Sequence, residues 1–155
     1  MNTPGVRCLI LACGNTLRGD DGIGPFLSSW AEDRFAGESG VQTIARQQWT
    51  PDLAQDIARA ASVIFIDCAL DLEAGQLLLR EIRAAEPGVI SAHSLGAAEL
   101  LGLAKGLYDV TPGRACLLTI GAGSIELGEE LSAPVQAVLP DAQALLELTV
   151  RQLLR

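Results

Sequence analysis

The chain has 155 residues, 49% of them hydrophobic, which is enough for one domain with a substantial core. Acidic residues outnumber basic ones by 19 to 11, the net charge is −8, and the cations are scattered singly along the chain. This charge balance disfavours a nucleic-acid or an anionic-membrane partner. We predict a single domain over residues 1–155, monomeric by default.

The first apolar run lies in “MNTPGVRCLILACGN”, where it follows one Arg and stops at Gly14 without a matching cleavage signal. It is too short to span a membrane, and it lacks the pattern of a secretory signal. It therefore predicts the first strand of a cytoplasmic protein.

From this strand onward, short apolar runs alternate with helical patterns. The predicted elements of the first half are a strand at 6–13, a helix at 21–36, a strand at 41–46, a helix at 50–61 and a strand at 62–69. The first helix follows Asp20 and has Pro25 in its first turn, and Thr50 caps the second helix ahead of Pro51. This alternation is typical of a mostly parallel sheet with helices on both faces.

The second half is less regular. Segment 75–82 follows the third strand too closely for a crossover helix, so we predict a strand beside the third one, antiparallel at an edge, with a short helix as the alternative. The remaining predicted elements are a helix beginning near Ser94 within 91–108, a strand at 115–123 and a helix at 132–154 capped by Ser132. Pro140 predicts a kink or a break in this last helix.

The four cysteines, Cys8, Cys13, Cys68 and Cys116, form no C-x-x-C pair and lie in or at the end of apolar runs. Buried, reduced thiols are the expected interpretation. A thiol nucleophile at Cys13 or Cys68 stays open, although neighbouring carboxylates disfavour a thiolate.

The stretch “GNTLRGDDGIG”, residues 14–24, spaces its glycines as in a phosphate-binding loop but has Asp20 and Asp21 where that loop needs Lys and then Ser or Thr. Each carboxylate about 4 Å from a phosphate would oppose it by roughly 4 kcal/mol at an effective dielectric near 20. The G-x-G-x-x-G order of a dinucleotide site is absent as well. The loop is therefore not a phosphate cradle unless a metal ion intervenes.

Ligands of a doubly wound sheet bind beyond the carboxyl ends of its strands, so the residues that follow each predicted strand are candidates for a site. Asp20 is interpreted first as a cap of the next helix. Asp21 gains little from a second capping role, and Asp67 closes an apolar strand where an unpaired carboxylate is costly to bury. With His93, the only histidine, they would form a three-ligand site for zinc or nickel, although an ordinary structural role for each stays open.

Four segments resemble the hydrogenase maturation endopeptidases, which trim the C-terminal tail from the large subunit of nickel-iron hydrogenases. In chain order they are “LACGNTLRGDDGIGPFL”, “VIFIDCAL”, “SAHSLGAAELLGLA” and “TIGAGSIELGEELSAPV”. The resemblance implies a single α/β domain, a three-layer sandwich with a twisted, mostly parallel sheet of about five strands flanked by helices. It also implies that Asp21, Asp67 and His93 bind the metal.

The sequence departs from the family pattern after the second strand. Many members have Asp-Gly-Gly-Thr there, whereas this chain has “QQWT”, with Gln47 at the Asp position and Thr50 retained. We expect Gln47 and Thr50 to contact substrate, but a neutral amide cannot serve as a general base. Catalysis is then expected to rest with Asp20, Asp21, Asp67 or a metal-bound water.

The resemblance implies an endopeptidase that acts on a nickel-iron hydrogenase large-subunit precursor after nickel insertion, with the nickel borne by that precursor. One alternative is a metal-dependent hydrolase of a small substrate that holds its own zinc at the same residues. Another is a non-catalytic chaperone that binds the precursor, which Gln47 makes more plausible.

Overall fold

A five-stranded sheet organises the part of the chain that the structure, a computed structural model, describes: residues 5–86 and 95–155. The strands are β1 (Cys8–Cys13), β2 (Val41–Arg46), β3 (Ser62–Ala69), β4 (Leu77–Glu81) and β5 (Arg114–Gly121). Their order across the sheet is β2-β1-β3-β5-β4, and all neighbours are parallel except β4 and β5. The predicted α/β fold with a mostly parallel sheet of about five strands is confirmed.

Helices cover both faces of the sheet. They are α1 (Ile23–Arg34), α2 (Leu53–Ala58), α3 (Ala97–Tyr108) and α4 (Ala133–Leu153), and a 3₁₀ turn at Gly19–Gly22 precedes α1. One core joins α1 and α4 to the sheet through buried side chains such as Leu27 and Leu146. The other joins α2 and α3 through side chains such as Ile57 and Leu100. The central strands β1 and β3 are buried on both faces, as parallel strands between two helical layers must be.

The segment predicted at 75–82 is an antiparallel edge strand, β4, as expected, but its neighbour is β5 and not β3. The edges of β3 are occupied by β1 on one side and by β5 on the other, in a parallel register from Ser62 with Arg114 to Ala69 with Gly121. β5 is the more deeply buried strand, whereas β4 is half exposed. The more apolar strand therefore takes the inner position.

Several helix ends differ from the prediction. The first helix begins as a 3₁₀ turn, and no side-chain cap hydrogen bond starts α2, where Thr50 accepts from the Leu53 N–H through its carbonyl oxygen at 3.1 Å. α3 begins at Ala97, and Ser94 lies outside the described residues. α4 runs unbroken through Pro140, so of the predicted kink or break the break is wrong and the kink stays a prediction. Buried side chains on both sides of Pro140 hold this helix against the core, which offsets the lost backbone hydrogen bond.

Within the described ranges, none of the helices is both long and apolar enough to cross a bilayer.

Candidate active site

The carboxyl ends of β1 and β3 lie side by side at one edge of the sheet, and three potential ligands meet there. β1 ends at Cys13 and leads through a short loop into the 3₁₀ turn that carries Asp21, while β3 carries Asp67 and Cys68 close to its own end. Asp21, Asp67 and Cys68 each offer one ligand atom, and these atoms lie within 4.8 Å of one another. The structure thus brings together the two carboxylates predicted from the sequence and adds a thiol.

Asp21 is half-buried and held by two donors. The Asn15 N–H donates to its Oδ2 at 2.7 Å, and the Cys68 thiol donates to its Oδ1 at 3.2 Å. Gly14 makes the tight path from β1 into the turn possible, because its φ of +153° disfavours other residues and a Cβ there would lie 1.8 Å from the Asp21 carbonyl oxygen. Gly14 therefore sets the position of Asp21 relative to the end of β1.

The two carboxylates of the site lie close enough to repel each other, so a positive charge between them would be favourable. Burial, opposed by the hydrogen bond from the Cys68 N–H and aided by the nearby Asp21 charge, raises the pKa of the Asp67 carboxyl to about 6. A group with this pKa exchanges protons near neutral pH, which suits a general base. A bound cation would relieve the repulsion between the two carboxylates.

The surroundings of the two thiols near the site disfavour a thiolate nucleophile. Burial, followed by the charges of Asp67 and Asp21, raises the pKa of the Cys13 thiol to about 12, and burial with the Asp21 contact raises that of Cys68 still further. A thiol held protonated at neutral pH attacks poorly. All four cysteines are free, in agreement with the prediction of reduced thiols. The sequence predicted Cys68 as a buried, reduced thiol and left a nucleophile open, but it did not predict a place beside the two carboxylates, for which its position directly after Asp67 was the available signal.

Asp20 has a structural role, and the prediction that it caps its own helix is wrong. It has no solvent exposure, and its Oδ2 accepts from the N–H groups of Gly123 and Ser124 at 2.7 and 3.0 Å. Its two oxygens also accept from the Ser132 N–H at 2.7 Å and the Ser132 hydroxyl at 2.6 Å. A buried carboxylate with four donors cannot reach a substrate, so this geometry argues against the predicted catalytic role of Asp20.

Ser132 occupies the N-cap position of α4, but its hydroxyl donates to Asp20 and makes no cap hydrogen bond to the helix. Burial opposes ionisation of Asp20, but the hydrogen bonds from Ser132, Ser124 and Gly123 together outweigh it and hold the pKa of this carboxyl below its ordinary value. The carboxylate therefore anchors the segment between β5 and α4 to the acidic loop.

The other predicted site residues follow β2. Gln47 is exposed, and its carbonyl oxygen accepts from the Cys13 thiol at 3.5 Å, which holds the segment against the end of β1. Trp49 packs edge-on against Phe65 with ring centroids 5.5 Å apart, and Thr50 is half-buried just beyond. Gln47 and Thr50 thus lie at the same edge of the sheet as Asp21. His93 lies outside the described residues, so its predicted metal contact stays a prediction.

No protein-family model matches the sequence, and no curated protein matches it significantly. Solved structures match along nearly the whole chain. Hydrogenase maturating endopeptidase HybD from E. coli is 21% identical with a TM-score of 0.75, and the match covers 95% of this chain and 93% of that one. Hydrogenase 2 maturation peptidase from a Thaumarchaeota archaeon is 28% identical with a TM-score of 0.64, covering 93% and 97%. [NiFe] hydrogenase maturation protease HybD from Thermococcus kodakarensis is 25% identical with a TM-score of 0.68, covering 93% and 99%.

The chain has the fold of α/β proteins that are named peptidases, with an acidic cluster at its strand ends. Several of the matched proteins carry the same activity in their names, two of them at 25% identity or more over almost their full lengths. The chain therefore resembles the hydrogenase maturation peptidases in fold along nearly its whole length. This likeness confirms the resemblance predicted from the four sequence segments and supports the predicted peptidase class.

Proposed function

We propose that the protein removes the C-terminal tail of a nickel-iron hydrogenase large-subunit precursor after nickel has been inserted. The observation that carries the proposal is the convergence of Asp21 and Asp67, from separate elements, on one point at the carboxyl edge of the sheet. Matched proteins named as hydrogenase maturation proteases support the substrate class. In this proposal the nickel ion belongs to the substrate, and Asp21, Asp67 and His93 complete its coordination.

The donor set fits such an ion. Two carboxylate oxygens and a sulfur within 4.8 Å of one another span the distances that ligands of a single cation require. The elevated pKa of Asp67, caused by burial and by the charge of Asp21, marks a place where a divalent cation would be stabilised. A precursor without nickel would lack this contact and would not be fixed in the site.

Cleavage then needs a water molecule and a base. Asp67 is the best base among the described residues, because its side chain is not enclosed by donors as that of Asp20 is, so that one oxygen can face the ion while the other faces the water. Asp67 would accept the proton of the attacking water, and Asp21 would orient the metal. Gln47, neutral and exposed beside β1, would hydrogen-bond the substrate backbone.

A shallow groove beside the turn offers a place for the precursor. Its volume is about 340 Å³, and it is lined by Gly19 and Gly22, which bracket the two aspartates, and by Phe26, Leu131 and Glu129 among others. This combination of apolar and acidic groups suits a segment with apolar and basic side chains. We propose that part of the precursor next to the cleaved bond occupies this groove.

The test incubates the purified protein with nickel-loaded and nickel-free precursor and measures the mass of the large subunit. We expect loss of the tail only from the nickel-loaded form. Asp21→Asn and Asp67→Asn should each abolish it, and Asp52→Asn, which changes an exposed carboxylate at the start of α2, should not. Tail loss that is indifferent to nickel and to His93→Ala would overturn nickel recognition, and no tail loss from any precursor would overturn the proposed reaction.

Asp21, Asp67 and Cys68 form one group of potential metal ligands, which we call the ligand group. Its thiol favours one alternative, a hydrolase of a small substrate that holds its own zinc. Metal content after gentle purification separates the two functions. One equivalent of zinc retained by the protein would support the alternative, and a metal-free protein that cleaves nickel-loaded precursor would support the proposal above.

A further inference from the structure

Cys68 packs partly against the core, and its thiol also contacts the carboxylates of the candidate site. Its Sγ lies 3.2 Å from the Asp21 Oδ1 and within 4.8 Å of a carboxylate oxygen of Asp67, and its own N–H donates to the Asp67 Oδ1 at 2.8 Å. Cys13, at the end of the neighbouring strand, is not a member of this group and donates to a backbone carbonyl instead. Of these two thiols at the strand ends, Cys68 is the one that donates to a carboxylate of the site.

We propose that Cys68 is a ligand of the metal ion that Asp21 and Asp67 contact, and that it binds through Sγ as a thiolate. This inference rests on the metal contact in the proposed function and adds to it a residue that the predicted ligand set did not contain. When the ion binds, the S–H bond breaks, a sulfur–metal bond forms and one proton is released to solvent. No oxidation or reduction takes place.

A bound cation explains how the Cys68 thiol, which is otherwise neutral, can become a thiolate ligand. When no cation is present, the two carboxylates disfavour the further negative charge of a thiolate. A divalent cation reverses that effect and deprotonates a coordinating thiol. A thiolate added to two carboxylates also changes selectivity. Sulfur favours nickel, zinc and cadmium, whereas magnesium, calcium and manganese prefer oxygen ligands.

The competing explanation is that Cys68 only donates a hydrogen bond to Asp21. Cys68→Ser separates the two, because a hydroxyl keeps the donor but is a poor ligand for a soft ion. Cys68→Ala removes both. If the hydrogen bond were the whole role, Cys68→Ser would behave like the original protein in metal binding.

The experiment titrates the full-length, reduced protein with Co²⁺ and with Cd²⁺ and follows the sulfur-to-metal charge-transfer absorption in the ultraviolet. We expect a saturable band in the original protein and its loss in Cys68→Ser and Cys68→Ala. For Cys68→Ser the Kd for Cd²⁺ should rise at least about tenfold, while the Kd for Mn²⁺ changes by less than about threefold. Cys13→Ser and Cys116→Ser, which alter thiols outside the ligand group, should keep the band.

A band of undiminished intensity in Cys68→Ser would overturn the inference, as would Cd²⁺ binding to the original protein without a band, or no binding of either ion at millimolar concentration. Circular dichroism of each variant checks that a lost band does not reflect a lost fold. The titration uses no precursor, so its failure is distinguishable from failure of the proposed cleavage reaction, which is read from the mass of the large subunit.

Discussion

Replacing Asp20 tests whether the first aspartate of the acidic loop is structural. Asp20→Asn keeps the shape of the side chain but turns one acceptor oxygen into a donor. In the better orientation the amide oxygen accepts the three bonds now made to Oδ2, and the amide N–H₂ faces the N–H of Ser132. One charge-assisted bond is then lost and two donors oppose each other, at a cost of about 1–3 kcal/mol. Asp20→Ala removes every acceptor and should cost about 3–5 kcal/mol.

Equilibrium unfolding in urea at pH 7 measures the effect as a change in the free energy of unfolding. Asp33→Asn is the matched control, because Asp33 is exposed on α1, and it should lie within about 0.5 kcal/mol of the original protein. If Asp20→Asn were as stable as the Asp33 variant, the four hydrogen bonds would not be holding the loop, and the structural role of Asp20 would be refuted.

The same anchor predicts how stability depends on pH. Burial opposes ionisation of Asp20, but the hydrogen bonds from Ser132, Ser124 and Gly123 lower its pKa below the ordinary value of 3.8. The resulting stability is present above the unfolded pKa and is lost as the pH falls through the folded pKa. The difference in free energy of unfolding between the original protein and Asp20→Asn should therefore narrow below about pH 4. A constant difference down to pH 2 would contradict this account.

Three further predictions concern the loop, the site and the groove. Gly14→Ala should destabilise the protein by at least about 2 kcal/mol in urea unfolding, since its Cβ would lie 1.8 Å from a backbone oxygen, whereas Gly106→Ala, in open space on α3, should be neutral or stabilising by about 0.5–1 kcal/mol. In metal-free protein, Asp67→Asn should raise the free energy of unfolding at pH 8 by about 1–2 kcal/mol, because burial lifts the pKa of Asp67 to about 6 and its ionisation disfavours the fold above that pH. That gain should vanish below pH 4, and a gain that persists there would have another cause. Phe26→Ala, which trims a groove side chain that is 44% exposed, should raise KM for precursor several-fold and leave kcat unchanged, and a fall in kcat at constant KM would argue against substrate contact.

Local sequence patterns located the elements that are stabilised by local apolar runs. β2 and β3 have the predicted bounds. In β3 a continuous run of β-branched and aromatic residues fits a strand buried between helices, whereas β2 is a partly exposed strand at the edge of the sheet. The neighbour of β4 was not predictable in this way. It depends on the long crossover through α3 that places β5 against β3, and no local pattern records that placement.

The same difference between local patterns and long-range contacts decides which residues of the candidate site could be predicted. Asp21 and Asp67 could be identified because the carboxyl ends of parallel strands converge, so that residues following two separate strands become neighbours. Cys68 was assigned to the core because it continues an apolar run. Asp20 was expected to act on its own helix, whereas its partners are more than 100 residues away in sequence. Contacts of that range depend on the tertiary fold and leave no signal in the neighbouring sequence.

The adjacent aspartates of the acidic loop have opposite environments because of the turn that carries them. In a 3₁₀ turn consecutive side chains point about 120° apart, so Asp20 and Asp21 can face different partners without repelling each other at close range. Asp20 points inward, where four donors hydrogen-bond to its carboxylate. Asp21 points toward Asp67 and Cys68.

This arrangement would couple the proposed metal contact to the proposed substrate groove. The segment that Asp20 anchors leads through Glu129 and Leu131, which line the groove, to Ser132. The Gly19 N–H also donates to the Gly128 carbonyl oxygen at 2.8 Å, which ties the same segment to the turn at a second point. Loosening the anchor should therefore misplace the groove relative to Asp21. For Asp20→Asn we expect weaker binding of precursor but unchanged affinity for free Cd²⁺, because the ligands of the ion stay on β3 and the turn.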